Sequence, residues 1–170
     1  MPHGADALTG LPTREALGFD WPGLHRMPAT SGACVAVFDI DAFVYVNDQF
    51  GWLAADHALQ AIATVMQQQI GHRARAYRVA GDEFLLLSTQ LPYDDFVALA
   101  RSIQLAVHGL GLPYRGNPHQ TRDRVTVSVA VTRAAPQAQW QEVWAALIDR
   151  IDDEKRSGRC AARFQAFCSA

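Results

Sequence analysis

Acidic residues stand at two places in the sequence where paired carboxylates could bind a metal ion. Asp39 and Asp41 close an apolar run over 33–38, and Asp82 and Glu83 stand between two further apolar stretches. A carboxylate at the end of a buried strand raises the free energy of the folded state unless a cation offsets its charge. These positions therefore point to a cation site or to acids that reach water.

The spacing leaves two interpretations of these acids open. If the turn at 80–82 lies beside the first strand, Asp39 and Asp82 converge at one edge of a sheet, and the backbone carbonyl of Ile40 supplies a third oxygen. A set of hard oxygen ligands of this kind suits Mg²⁺. In the alternative, the same residues are solvated turn acids that hold no ligand.

The elements that would position these acids follow from the periodicity of apolar residues. Short apolar or alternating runs predict strands over 33–38, 74–79, 83–88, 124–132 and 161–167. Helical spacing predicts helices near 13–17 and over 54–70, 93–108 and 139–151, and Gly71 supplies a stop for the second of these. Strands and helices alternate around a central hairpin, which predicts an α+β domain in which helices pack on a sheet.

Composition and charge restrict the classes of function. A chain of 170 residues with 49% hydrophobic and 19% charged residues is typical of one globular domain. The formal net charge of −2 provides no basic excess for a nucleic-acid backbone, so we expect no nucleic-acid partner. Any phosphate must be bound by a few placed cations, with help from a metal.

The cysteines and the apolar segments indicate the compartment. Cys34, Cys160 and Cys168 have no metal-binding spacing and are odd in number, which favours a reducing environment, and Cys34 is expected in the core. We find no pattern of a signal peptide and no apolar run of the roughly 20 residues that a membrane span requires. The expectation is a cytoplasmic location without membrane contact by this segment.

Five short segments occur in a fixed order along the chain. They are DALTGLPTR at 6–14, FDIDAF at 38–43 continuing to VNDQFG at 46–51, RVAGDEF at 78–84, VTVSV at 125–129 and EKRSGR at 154–159. Together they resemble the motifs of the GGDEF family of diguanylate cyclases, over about residues 6–166. The resemblance implies a single GGDEF domain over 1–170, with a central, mostly antiparallel sheet, flanking helices and the ferredoxin-like core of palm-type nucleotide cyclases.

The resemblance also implies a reaction and its metal site. Members of the family join two GTP molecules into cyclic di-GMP and release two pyrophosphates, with one GTP on each of two facing domains. By this likeness Asp39 and Asp82 hold Mg²⁺ or Mn²⁺ together with the carbonyl of Ile40. Glu83 is the third catalytic acid, and it binds a second ion or supports the loop.

A set of substrate-binding residues is implied in the same way. They are Asn47 and Asp56 for guanine, Arg78, Lys155 and Arg159 for the phosphates, and Phe43 and Gly81 beside them. Guanine presents both a carbonyl acceptor and N–H donors on its pairing edge. An amide and a carboxylate together satisfy both kinds of group, whereas adenine leaves them unpaired.

Four residues depart from the family pattern near this implied site. Ala80 replaces the first glycine of the signature, Val44 the usual lysine, Trp52 the usual histidine, and Ala55 the usual glycine. The loss of a lysine removes a cation from the triphosphate, and the larger side chains crowd the approach to the base. The missing lysine is expected to weaken GTP binding or turnover, whereas alanine in place of the first signature glycine is tolerated in some active members of the family.

The family's product-inhibition motif, Arg-x-x-Asp, is also altered. The corresponding residues are Gly71, His72, Arg73 and Ala74, so both charged ends are missing. We therefore expect no feedback inhibition through this site.

Three functions remain open from the sequence. The chain acts as a diguanylate cyclase in a homodimer, as a catalytically silent GTP-binding regulatory module, or as a purely structural interaction domain. The retained polar residues favour the first function over the second. They disfavour the third, because a purely structural domain would have no reason to keep them in this arrangement. A sensory domain is expected upstream in a longer protein.

Overall fold

The computed structural model describes residues 4–21, 32–114, 123–156 and 164–167. The helices are α1 (Arg14–Asp20), α2 (Phe43–Phe50), α3 (Trp52–Ile70), α4 (Tyr93–Gly109) and α5 (Trp140–Arg156). The strands are β1 (Ala33–Ile40), β2 (Arg75–Ala80), β3 (Glu83–Ser88), β4 (Val127–Ala134) and β5 (Phe164–Phe167).

The strands form one sheet in the order β2-β3-β1-β4-β5. The pairs β2–β3, β3–β1 and β1–β4 are antiparallel, and β4–β5 is parallel. This arrangement confirms the predicted α+β fold with a mostly antiparallel sheet. Because β1 lies at its centre, the acids that close β1 have a strand on each side.

Helices cover both faces of the sheet, which explains why β1 is apolar throughout. Alternate residues of β1 point to opposite faces: Ala36 and Phe38 pack in one core with α3 and α4, and Val35 and Val37 pack in another with α1 and α5. A strand buried on both faces lacks the apolar–polar alternation of a half-exposed strand. Cys34 is buried as expected, while Cys160 and Cys168 lie outside the described residues.

The predicted hairpin is present and lies beside β1. Strands β2 and β3 pair through the short turn, with an irregularity between Arg78 and Ala80. Asp39 faces Glu83 across the β1–β3 pair, and the Ile40 N–H donates to the Asp82 carbonyl at 3.3 Å. The turn is therefore held against the end of β1, as the expected convergence of the two segments requires.

The main difference from the sequence prediction is helix α2, which was not predicted. Ala42, with φ of 55°, is the one non-glycine residue of positive φ among the described residues, and it turns the chain from β1 into the helix. A left-handed alanine is unfavourable by about 1 kcal/mol, so tertiary packing must hold it. Val46 is the buried residue of the helix, and Phe43 and Phe50 on the same face pack against the core from partly buried positions.

Several predicted boundaries also change. Helix α3 begins at Trp52, two residues before the predicted start, and it ends before Gly71 as predicted. Strand β4 begins at Val127 and not at 124, because Arg124 instead forms an isolated bridge with Pro113. Helices α1 and α5 each begin one residue later than predicted and continue past the predicted ends at 17 and 151. Strand β5 covers the described part of the strand predicted over 161–167.

None of the helices in the described part of the chain has the length and apolarity needed to span a bilayer.

Candidate active site

Asp39 lies near the end of β1 with little access to water. Its side chain is 14% exposed and forms an ion pair with Lys155 of α5. Burial raises the pKa of Asp39 to about 6, the Lys155 ammonium opposes this shift, and the neighbouring charges of Asp82 and Asp41 add to it. Even with the Lys155 ammonium beside it, the carboxylate is therefore held where its negative charge is unfavourable.

The two acids of the turn share this environment. Burial raises the pKa of Asp82, although the charges of Lys155 and Arg78 oppose the shift. Burial also raises the pKa of Glu83, while its Oε2 accepts a hydrogen bond at 3.0 Å from the Trp144 indole N–H of α5. Trp144 was not predicted as a site residue, because only the packing of α5 brings it to the turn.

Asp41 is a buried carboxylate that the predicted site residues did not include. It is 2% exposed, and its two oxygens accept hydrogen bonds of 2.6 Å from the hydroxyls of Thr126 and Ser128. Lys155 Nζ lies 3.8 Å from Oδ1 of Asp41. The alternating hydroxyls of the segment at 125–129 are the sequence signal that could have indicated this contact. Asp41 thus ties β1 to the start of β4 and anchors Lys155.

We predict that Asp41→Ala lowers the free energy of unfolding by about 3 kcal/mol, because it removes the charged acceptor of two buried hydrogen bonds. Urea unfolding followed by circular dichroism measures the change. Asp123→Ala is the matched control, since the Asp123 side chain is 79% exposed. Equal stability of the two variants would show that Asp41 is not a structural anchor.

The donor set at this edge fits a hard divalent cation. It consists of the Asp39 and Asp82 carboxylates beside the backbone of Ile40, and Lys155 already supplies a positive charge there. Across the described ranges, no three acidic, histidine or cysteine side chains are grouped closely enough to surround an ion by themselves. Mg²⁺ commonly binds through one or two carboxylates and completes its shell with water and substrate phosphates, so this donor set is sufficient.

We predict that the stability contribution of Asp39 depends on pH. Between its ordinary pKa of 3.8 and about 6, the folded chain keeps a proton on Asp39 that the unfolded chain has lost. The contribution of Asp39 to the free energy of unfolding therefore falls as pH rises through this window. In EDTA, Asp39→Asn is expected to match the unmodified chain near pH 4 and to be more stable at pH 7.5.

The measurement is urea unfolding at both pH values, and the control is Asp48→Asn, an exposed position on α2. A stability difference between Asp39→Asn and the unmodified chain that does not change with pH would contradict the prediction.

A cavity of about 250 Å³ opens beside these acids. Its lining residues are Phe43, Asn47, Trp52, Ala55, Asp56, Leu59, Arg78, Gly81 and Asp82. The structure thus gathers Phe43, Asn47, Asp56 and Gly81, which come from three separate segments, around one space. Two residues that depart from the family pattern, Trp52 and Ala55, belong to the same wall.

Other predicted residues lie elsewhere. Lys155 pairs with Asp39 and is not among the residues that line the cavity. Arg159 lies outside the described residues. Val44, which stands where the family has a lysine, is 60% exposed on α2. The binding of phosphate by Lys155 and Arg159 stays a prediction.

Arg78 is engaged by the protein itself. Its Nε and one terminal nitrogen donate to the Gly81 carbonyl at 3.0 and 2.7 Å, and the other terminal nitrogen donates to Asp6 at 3.0 Å. Although burial opposes it, hydrogen bonds from Thr9 and Arg78 lower the pKa of Asp6. The guanidinium therefore fixes the shape of the turn at 80–82, which carries the signature residues and is called the signature turn below. Asp6 was not assigned a role from the sequence, since its partner is 72 residues away.

Comparisons with known proteins identify the family and several relatives of this chain. The family model described as "Diguanylate cyclase, GGDEF domain" matches residues 4–160. The chain is 29% identical over 160 residues to diguanylate cyclase DgcP of Pseudomonas aeruginosa, covering 91% of this chain and 23% of that protein. It is 27% identical over 163 residues to diguanylate cyclase DgcM of Escherichia coli K12, covering 94% of this chain and 38% of that protein.

A solved structure is similar along nearly the whole chain. Diguanylate cyclase SiaD of Pseudomonas aeruginosa, solved with its activator SiaC, superposes with a TM-score of 0.76 at 25% identity, over 97% of this chain and 61% of that one. The chain thus spans less than half the length of the two curated relatives named above.

Proposed function

Because the chain belongs to the GGDEF domain family of diguanylate cyclases, we propose that it condenses two GTP molecules into cyclic di-GMP and releases two pyrophosphates. The observation that carries the proposal is the cavity in which Asn47, Asp56 and Asp82 meet at one space beside the Asp39 carboxylate. In this proposal residues 1–170 form one such domain.

The acids of the signature turn and of β1 prepare the site for a charged substrate. Asp39 and Asp82 would hold Mg²⁺ or Mn²⁺ with the carbonyl of Ile40, and Glu83 would support the loop or a second ion. When bound, the metal supplies charge neutralisation for the triphosphate and activation of the attacking hydroxyl. Burial of the two carboxylates strengthens their attraction for a cation, because little water screens it.

The cavity residues would select the base. The Asp56 carboxylate accepts from the guanine N–H groups, and the Asn47 amide can donate to the guanine carbonyl. Phe43 and Gly81 complete the walls of the same cavity. Adenine would leave both polar side chains without suitable partners, which is an effective basis for rejection.

The positive charges would have different roles. Lys155 neutralises Asp39 in the free chain, and we infer that it turns to the phosphates when metal and substrate arrive. Arg159 would add a second phosphate contact. Arg78 donates to the Gly81 carbonyl and so would hold the turn in place beside the substrate.

The proposed reaction requires a second copy of the chain. Cyclic di-GMP contains two guanylate units, and each domain carries one GTP, so two domains must face each other as a homodimer. We further propose that the domain acts in the cytoplasm, without nucleic-acid or membrane partners, and that an upstream sensory domain controls it. The greater length of the curated relatives supports the last point.

A second candidate is a silent GTP-binding module. It is favoured by Trp52 and Ala55 in the wall of the cavity, and by an exposed Val44 in place of a lysine. Incubation of concentrated protein with GTP and Mg²⁺, followed by chromatographic separation of nucleotides, distinguishes the two functions. Cyclic di-GMP supports the cyclase, bound GTP without product supports the silent module, and absence of GTP binding contradicts both.

The absence of product inhibition stays a prediction. Gly71 and Ala74 contribute no charge where the family motif has two, and Ala74 is buried in the core. Arg73 donates to the Gln69 carbonyl at 2.9 Å on the same surface. Cyclic di-GMP binding that is lost in Arg73→Ala would contradict the expectation.

A further inference from the structure

Trp52 is an exposed aromatic residue at the cavity described above. It is the first residue of α3, it follows Gly51 with a φ of 79°, and it contributes to the cavity wall while 80% exposed. An exposed indole leaves a large apolar surface in water, which is unfavourable unless something covers it. A flat ring at the opening of a small cavity is suited to cover a flat ligand.

One face of α3 provides the geometry for this. Trp52, Ala55, Asp56 and Leu59 all line the cavity, and their spacing of three, four and seven residues places them on a single helical face. Side chains four residues apart on a helix are neighbours about 5–6 Å apart at Cβ. The Trp52 ring therefore lies one turn before the Asp56 carboxylate.

We propose that Trp52 stacks on the face of the nucleotide base whose edge Asp56 binds. The inference rests on the proposed function, because it requires a nucleotide in this cavity. Polar groups at the edge of a base cannot cover its face, and an aromatic ring does so for any base. Trp52 thus supplies affinity for a purine, and Asp56 together with Asn47 supplies the choice of guanine.

Stacking predicts a pattern that differs from that of an edge contact. Loss of the ring should lower the binding affinity for all purine triphosphates by the same factor. The preference for GTP over inosine triphosphate should therefore be unchanged. A phosphate ligand without a base should be unaffected. Leu53 provides a matched control, because it is 77% exposed on the next position of α3 and does not line the cavity.

The test is equilibrium dialysis of Trp52→Ala, Trp52→Phe and Leu53→Ala with Mg²⁺ and three probes. These are the α,β-methylene analogue of GTP, the same analogue of inosine triphosphate, and inorganic triphosphate. Trp52→Ala is expected to bind both nucleotide analogues about tenfold more weakly, with inorganic triphosphate unchanged. Trp52→Phe, which keeps a flat ring, and Leu53→Ala are expected to stay within about threefold of the unmodified chain.

Three results would overturn the inference. They are unchanged nucleotide affinity in Trp52→Ala, an equal loss in Leu53→Ala, and a loss that sedimentation shows to follow weaker self-association of the chain. In each of these cases the unmodified chain still binds the GTP analogue, and the proposed function survives. If the unmodified chain binds neither nucleotide analogue, the proposed function fails and the stacking role fails with it.

Discussion

Asp82→Asn is expected to reduce cyclic di-GMP formation by about a thousandfold or more, an effect of the size found when a charge-stabilising group is removed from an active site. Asparagine keeps the shape of the side chain but removes the negative charge that would hold the metal. Because burial raises the pKa of Asp82, loss of this charge relieves an unfavourable term in the folded chain. The thermal unfolding midpoint should therefore not fall.

The measurement is the initial rate of product formation by chromatography, with the unfolding midpoint recorded on the same sample. Asp123→Asn is the control, since Asp123 is an exposed acid outside the site. Product formation by Asp82→Asn at more than about a tenth of the unmodified rate would remove Asp82 from the metal site. A fall in the unfolding midpoint would instead indicate a structural role.

Asp56→Asn is expected to weaken binding of the GTP analogue by about a hundredfold, because a charged acceptor in a confined cavity is lost. Hypoxanthine, the base of the inosine analogue, lacks the amino group of guanine and so loses fewer contacts in this variant. Binding of the inosine analogue should therefore weaken only about tenfold. The preference for guanine over hypoxanthine then falls about tenfold. This change in preference distinguishes the edge contact of Asp56 from the stacking contact of Trp52.

Equilibrium dialysis with both analogues measures the two affinities. Asp48→Asn is the matched control, because Asp48 is an exposed aspartate on the neighbouring helix α2. An unchanged preference in Asp56→Asn would contradict the role of Asp56 in guanine selection. An equal change in the control would show that the effect arises from the overall charge of the domain.

The site concentrates negative charge at a cost in stability. Burial raises the pKa of Asp39, Asp82 and Glu83 alike, so each carboxylate is less favourable in the folded chain than in water. A protein selected for stability alone would replace such residues by neutral ones. The same poor hydration increases their attraction for a cation, so an arrangement that is unfavourable for stability is suited to binding a metal ion.

Much of the fold could be predicted from local patterns. The central strand and the hairpin at the signature turn were correct because apolar runs and a turn of small residues are local signals. Helix α2 was missed because it is only eight residues long and because Ala42 provides no N-cap side chain. Its apolar residues Phe43, Val46 and Phe50 do recur at helical spacing, but two turns give too few positions for this pattern to stand out.

The sequence by itself determined the family, the identity of the acids and their places at the end of β1 and in the turn. Only the tertiary structure decided their partners: Lys155 for Asp39, Thr126 and Ser128 for Asp41, and Trp144 for Glu83. These contacts join residues 61 to 116 positions apart. Such pairs depend on strand register and on how α5 packs on the sheet, which are properties of the whole core and not of any short segment.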